Sequence, residues 1–152
     1  MRRRWALAGA AALVGLAILA AAPNYLDVQR SADADRFRSL LDEYGEFRLA
    51  SAAVLDFAFA VLYAATVVAV VGGRPQARLG VGLVVLGAIF DEVENAFVLR
   101  GALGADSLSD GAVDWMRRFG TLKSISLILG VALVIVGVVR ARREPGGDPA
   151  VA

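Results

Sequence analysis

The chain has 152 residues, of which 58% are hydrophobic, and a formal net charge of +1. This length fits one domain, and the apolar fraction is too high for an ordinary soluble protein of this size. Cysteine and histidine are both absent, which excludes disulfides and thiol catalysis and removes the commonest general base and metal ligand. No basic stripe with interleaved aromatic residues occurs, so we expect no nucleic-acid binding.

Four apolar segments are long enough to cross a hydrocarbon core about 30 Å thick, which needs roughly 20 helical residues. They are Trp5–Ala22, Leu49–Val71, Leu79–Leu99 and Phe119–Val139. The sequence therefore predicts an all-α fold: an antiparallel four-helix membrane bundle over residues 1–143, with a disordered cytoplasmic tail over 144–152. The lipid bilayer is the first partner that we expect.

The first segment also has features of a secretory signal peptide, because Arg2–Arg4 precede it and three alanines end it. Its apolar run from Trp5 to Ala22 is longer than the core of a typical signal peptide. Pro23 follows directly and disfavours cleavage. We predict an uncleaved first helix, with cleavage as the alternative.

Arginines predict the orientation of the bundle. An even number of spans places both termini on one side, and arginines are densest beside the first span, after the last span and in the Gly72–Arg78 turn. Loops rich in Lys and Arg stay in the cytoplasm. We therefore predict a multi-pass protein of the bacterial inner membrane with both termini in the cytoplasm.

The segment between the first two spans predicts a short amphipathic helix. Its apolar side chains recur at helical spacing, at Phe37, Leu40, Leu41 and Tyr44, and Ser31 or Asp33 can cap its start. Such a helix suits the extracytoplasmic surface or the mouth of the bundle. On the same side, Arg100–Arg118 predicts a loop that enters the last helix, and Ser109 can cap a helix that carries Val113, Trp115 and Met116.

A polar cluster interrupts the third span at Asp91, Glu92, Glu94 and Asn95. One carboxylate in hydrocarbon costs at least about 2.5–3.5 kcal/mol on insertion scales, so the cluster must be satisfied by protein, water or a ligand. Asp91, Glu94 and Asn95 share one helical face. Glu92 points about 100° away from them, toward the edge of a cleft or toward another subunit.

Two neighbouring spans carry matching polar residues. Asp56 and Tyr63 lie on the second span and Lys123 on the fourth, where Gly130 and Gly137 allow a neighbouring helix to approach closely. A rise of about 1.5 Å per residue places Asp56, Lys123 and the acids of the third span in one layer of the outer half. Since the acids outnumber the lysine, we expect at least one carboxyl to be protonated or to bind a cation.

Three interpretations of this layer stay open. The leading one is a polar pocket that binds a proton, a cation or an amphiphilic ligand. The first alternative is a membrane-embedded, isomerase-like enzyme in which Asp91 or Glu94 is the acid/base, Lys123 stabilises charge and Tyr63 is an auxiliary donor. The second is a structural network in a subunit of a membrane complex.

Seven residues are the candidate ligand or proton-binding site: Asp56, Tyr63, Asp91, Glu92, Glu94, Asn95 and Lys123. We predict no cofactor and no resident metal. Glu92 and the alanine-rich first helix offer faces for a homo-oligomer or a membrane-protein partner.

Three pieces of the chain resemble a recurring pattern: Asp56-Phe-x-Phe-x-x-x-Tyr63, Phe90–Arg100 with its Asp-x-x-Glu-Asn, and Leu122-Lys123. The pattern is similar to that of a set of small, uncharacterised bacterial four-span proteins with Asp on helix two, Asp-x-x-Glu-Asn on helix three and Lys on helix four. The resemblance runs from the second span to the end of the fourth. It supports the site and implies no activity.

Overall fold

The computed structural model describes residues 6, 8–15, 25–71, 73–104 and 108–143, and the regular structure in this part of the chain is helical. The elements are α1 (helical residues 8–15), α2 (Tyr25–Gln29), α3 (Ala34–Tyr44), α4 (Glu46–Val71), a 3₁₀ turn (Pro75–Ala77), α5 (Arg78–Leu103) and α6 (Asp110–Arg143). The all-α prediction is confirmed. The predicted tail at 144–152 and the question of cleavage after Ala22 lie outside the described residues.

Two of the described helices are long and apolar enough to cross a membrane: Glu46–Val71 and Asp110–Ala141. Both expose large apolar side chains, such as Val61 on α4 and Ile128 on α6. α5 equals α4 in length, but Asp91, Glu92 and Glu94 interrupt its apolar sequence. Length and composition thus support a membrane protein with two candidate spans among the described residues.

α5 packs between α4 and α6, and it runs antiparallel to α4. Leu49 near the start of α4 and Val98 near the end of α5 belong to one buried cluster. Val71 at the end of α4 and Val81 at the start of α5 belong to a second cluster at the opposite end. The three helices therefore form a compact unit with one apolar cluster at each end.

The backbones of α5 and α6 touch near the 3₁₀ turn. A Cβ placed on Gly80 would lie 2.6 Å from the Val134 nitrogen and 2.7 Å from the Gly130 oxygen. A Cβ on Gly137 would lie 2.5 Å from the Gln76 oxygen. The prediction that Gly130 and Gly137 allow close helix approach is confirmed, since side chains at these positions would force the backbones apart.

α3 is the predicted amphipathic helix. Its N-cap is Asp33, whose side chain accepts from the Arg36 nitrogen at 2.8 Å, whereas the Ser31 hydroxyl donates to the Val28 carbonyl. Phe37 is fully buried, and its ring lies against Gly101 at the end of α5. The apolar face of α3 therefore packs against the end of α5, and the periodicity of its apolar residues predicts such a buried face.

The predicted loop over Arg100–Arg118 is wrong at its start, and the helix predicted to follow Ser109 is confirmed. α5 continues to Leu103 and α6 already begins at Asp110. Ser109 caps this start, as predicted, since its hydroxyl accepts from the Ala112 nitrogen at 3.3 Å. Val113 and Met116 are fully buried, and their helical spacing extends the last helix by more than two turns toward the mouth.

Candidate functional site

One lysine joins two buried carboxylates between α5 and α6. Nζ of Lys123 donates to Oδ1 of Asp91 at 2.9 Å and lies 2.5 Å from Oε2 of Glu94. Asp91 and Glu94 are 3% and 2% exposed. They lie one turn apart on the same face of α5, which lets one ammonium group reach both. The cation partly offsets the cost of burying two acids.

A second, mostly neutral group of side chains continues this network toward α2 and α4. Oδ1 of Asn95 accepts from the Tyr25 hydroxyl at 2.9 Å and from Nε2 of Gln29 at 3.1 Å. The same Gln29 nitrogen lies 3.4 Å from Oδ2 of Asp56. With Oδ1 occupied by two donors, the Asn95 amide is oriented, and it lies beside the Asp56 carboxyl. The short helix α2 thus supplies two donors to the polar layer.

Tyr63 and Glu92 lie at the margin of the network. The Tyr63 hydroxyl is 3.5 Å from Oδ2 of Asp91, a long contact for a hydrogen bond. Glu92 is partly exposed, and its Oε1 is buried with no hydrogen-bond partner among the described residues. The structure therefore brings together six of the seven candidates and leaves Glu92 at the side, as its helical angle predicts.

Tyr25 and Gln29 also belong to the site, although their sequence pattern does not predict it. Both side chains are 4% exposed. In the sequence they lie in the segment that connects the first predicted span to the predicted amphipathic helix. Burial raises the pKa of the Tyr25 phenol, and the carboxylates of Asp56, Glu94 and Asp91 raise it further. The phenol is therefore held in its protonated form, as a hydrogen-bond donor.

A cavity of about 320 Å³ reaches the ion pair from the side of the bundle. Its lining comes from α2, α5 and α6 and from the residue after α2: Leu26, Gln29, Arg30, Glu94, Arg117, Gly120, Thr121, Lys123, Ser124, Ile125 and Ile128. Ile128 is 70% exposed and Glu94 is buried. The cavity therefore leads from the surface to the Glu94 carboxylate. Among the described residues, no group of three Asp or Glu side chains is placed to hold a metal ion.

Comparisons with known protein families, with curated proteins and with solved structures found no match to this chain. The resemblance to small four-span bacterial proteins therefore stays a prediction, and the site has to be interpreted from its own geometry.

Proposed function

We propose that this protein is a small integral membrane protein that binds an amphiphilic ligand in the cavity between α2 and α6. The observation that carries the proposal is the continuity of this cavity from exposed Ile128 to buried Glu94. A purely structural network needs no path to the surface. A binding site requires one.

The volume of the cavity favours an amphiphile over a proton or a bare cation. A water molecule occupies about 30 Å³ of liquid, so about 320 Å³ holds far more than one ion. Pockets for small organic ligands start at about 300 Å³. Leu26, Ile125 and Ile128 supply apolar walls, and Glu94 with Lys123 supplies a polar end.

Ion pairing favours binding over acid/base catalysis. Asp91 does not belong to the lining of the cavity, and Glu94 is held by Lys123. A general acid or base must exchange its proton with a bound substrate, which an acid engaged by a lysine does less readily. We therefore propose a binder and keep the isomerase-like enzyme as the interpretation that substrate turnover would support.

We also propose a four-span topology in the bacterial inner membrane, with both termini in the cytoplasm. Two candidate spans flank α5, and Asp91 on α5 contacts Lys123 of one span and Tyr63 of the other. In this topology α3 lies on the outer surface, and the cavity opens sideways into the outer leaflet. Cysteine labelling at Ser39 and at Gln76, which lie on opposite sides in the proposal, tests the orientation in intact cells.

Native mass spectrometry tests the binding proposal. Ser124 is exposed and lines the cavity, so Ser124→Phe should fill it without disturbing the core. We expect wild-type protein in a maltoside detergent to retain an added lysophospholipid or monoacylglycerol and Ser124→Phe to lose both. Ala58→Phe, at an exposed position of α4, is the matched control. Equal retention by wild type and Ser124→Phe would refute the site.

A further inference from the structure

We infer that the ligand of this cavity carries a phosphate group, held by Arg30 and Arg117 at the outer rim. The inference rests on the proposed function and adds the chemical class of the head group. Both arginines line the cavity, together with Lys123 and one acid, Glu94. Lys123 is paired with Glu94 and Asp91, so Arg30 and Arg117 are the lining cations that favour an anionic group over a cationic one.

Charge pairing places the anion at the rim and not at the base of the cavity. Lys123 already serves Asp91 and Glu94. The Arg30 side chain has no hydrogen bond or ion pair within the part of the chain that the structure describes. Arg117 uses one terminal nitrogen for Asp114 at 2.9 Å, and a guanidinium has five N–H donors in a planar fork. Both arginines therefore retain donors for phosphate oxygens.

The order of residues along α6 matches the order of groups in a membrane lipid. Arg117 comes first, Thr121, Lys123 and Ser124 follow, and Ile125 and Ile128 come last, nearest the centre of the membrane in the proposed topology. From Arg117 to Lys123 the rise is about 9 Å, and from Lys123 to Ile128 about 7.5 Å. A lipid whose phosphate contacts the arginines would thus place its polar linkage beside Thr121 and Ser124. Its acyl chain would lie against Ile125 and Ile128. Basic pockets between transmembrane helices are known lipid head-group sites.

Arg118 provides a matched control for Arg117. It also pairs with Asp114, at 2.7 Å, and the two side chains are similarly exposed, at 61% and 51%. Its guanidinium lies 5.3 Å from the centre of the Trp115 ring, and it does not line the cavity. Arg117→Gln and Arg118→Gln therefore change the net charge equally, while only the first alters the rim.

The test compares lysophosphatidic acid, an uncharged monoacylglycerol with the same chain, and inorganic phosphate, each titrated against the full chain in maltoside detergent. We expect wild type to bind lysophosphatidic acid at least about tenfold more tightly than the monoacylglycerol. Arg30→Gln and Arg117→Gln should each remove most of this preference, whereas Arg118→Gln should keep it.

Three outcomes overturn the inference in distinguishable ways. If both amphiphiles bind equally and Ser124→Phe abolishes both, the proposed function stands and the phosphate site falls. If neither amphiphile binds to wild type more tightly than to Ser124→Phe, the proposed function fails as well. If inorganic phosphate binds as tightly as lysophosphatidic acid and Arg30→Gln weakens both, the site takes free phosphate and not a lipid.

Discussion

Gly120 of α6 lies directly against the carboxylate of Glu94 on α5. A Cβ placed on Gly120 would overlap Oε1 of Glu94. The glycine thus leaves the space in which this carboxylate turns toward Lys123. Because both residues also line the cavity, the contact sets the shape of its polar end.

Gly120→Ala should separate binding from folding. The atom that the new Cβ would meet is Oε1 at the end of the flexible Glu94 side chain, which can move aside. Alanine also gains up to about 1 kcal/mol of helix propensity over glycine. We expect thermal stability in detergent to stay within about 1 kcal/mol of wild type while amphiphile affinity falls. Gly111→Ala, where the new Cβ meets only the Ser109 hydroxyl at 3.8 Å, is the control. Unchanged affinity in Gly120→Ala would contradict the role of Glu94.

Gly80→Ala should destabilise the bundle strongly. Here the new Cβ meets the backbone of α6, which cannot rotate away. Overpacking costs about 1–3 kcal/mol, and we expect the upper part of this range. Gly82→Ala, two residues away with nothing within 4 Å of its Cβ, should be neutral or stabilising. Melting temperatures in one detergent compare the two, and equal effects would disprove the close helix contact.

Lys123→Met should destabilise the protein by about 3–5 kcal/mol, because it leaves Asp91 and Glu94 buried without a cation. Asp91→Asn or Glu94→Gln alone should cost less, since each leaves Lys123 one acid. In the Asp91→Asn/Glu94→Gln background, Lys123→Met should cost far less than in wild type. Free energies of unfolding around this cycle measure the coupling. A cost of Lys123→Met that is the same in both backgrounds would contradict the shared ion pair.

Tyr25→Phe should show a penalty that depends on pH. Near neutral pH it removes the hydrogen bond to Asn95, which costs about 0.5–1.5 kcal/mol. Since burial raises the pKa of Tyr25 in the folded state, the unfolded phenol loses its proton first, above its ordinary pKa of about 10. The tyrosine therefore contributes less to the free energy of unfolding above pH 10, and the cost of Tyr25→Phe should shrink there. Melting curves from pH 7 to pH 11 test this, and a constant penalty would contradict it.

Charged residues made much of the site predictable. A carboxylate inside an apolar segment is costly enough to require a partner, and the similar depth of Lys123 on the last span placed it in the same layer as Asp91 and Glu94. The helical period fixed which of them share a face, and it also separated Glu92. The same period predicted α3 from Phe37, Leu40 and Leu41.

α2 was not predicted, because it is only five residues long and is too short to show a helical period. Gln29 is uncharged, so it lacks the large cost of burial that indicates a partner for a carboxylate. Glutamine is also common in ordinary loops. Its role depends on α2 folding back over Asn95 and Asp56, a long-range contact that local sequence does not encode. A polar pocket was predicted, but the shape of the cavity was not, since α2 forms one wall of it.

The sharing of Lys123 between Asp91 and Glu94 has a consequence for biosynthesis. α5 emerges from the ribosome before α6, with its acids unpaired. In the proposed topology, each acid costs at least about 2.5–3.5 kcal/mol when α5 enters lipid alone. The helix should therefore wait inside the insertion machinery until Lys123 arrives, and the two helices should leave together as a hairpin. A truncated chain that ends before α6 should fail to integrate α5, although α4 alone should insert.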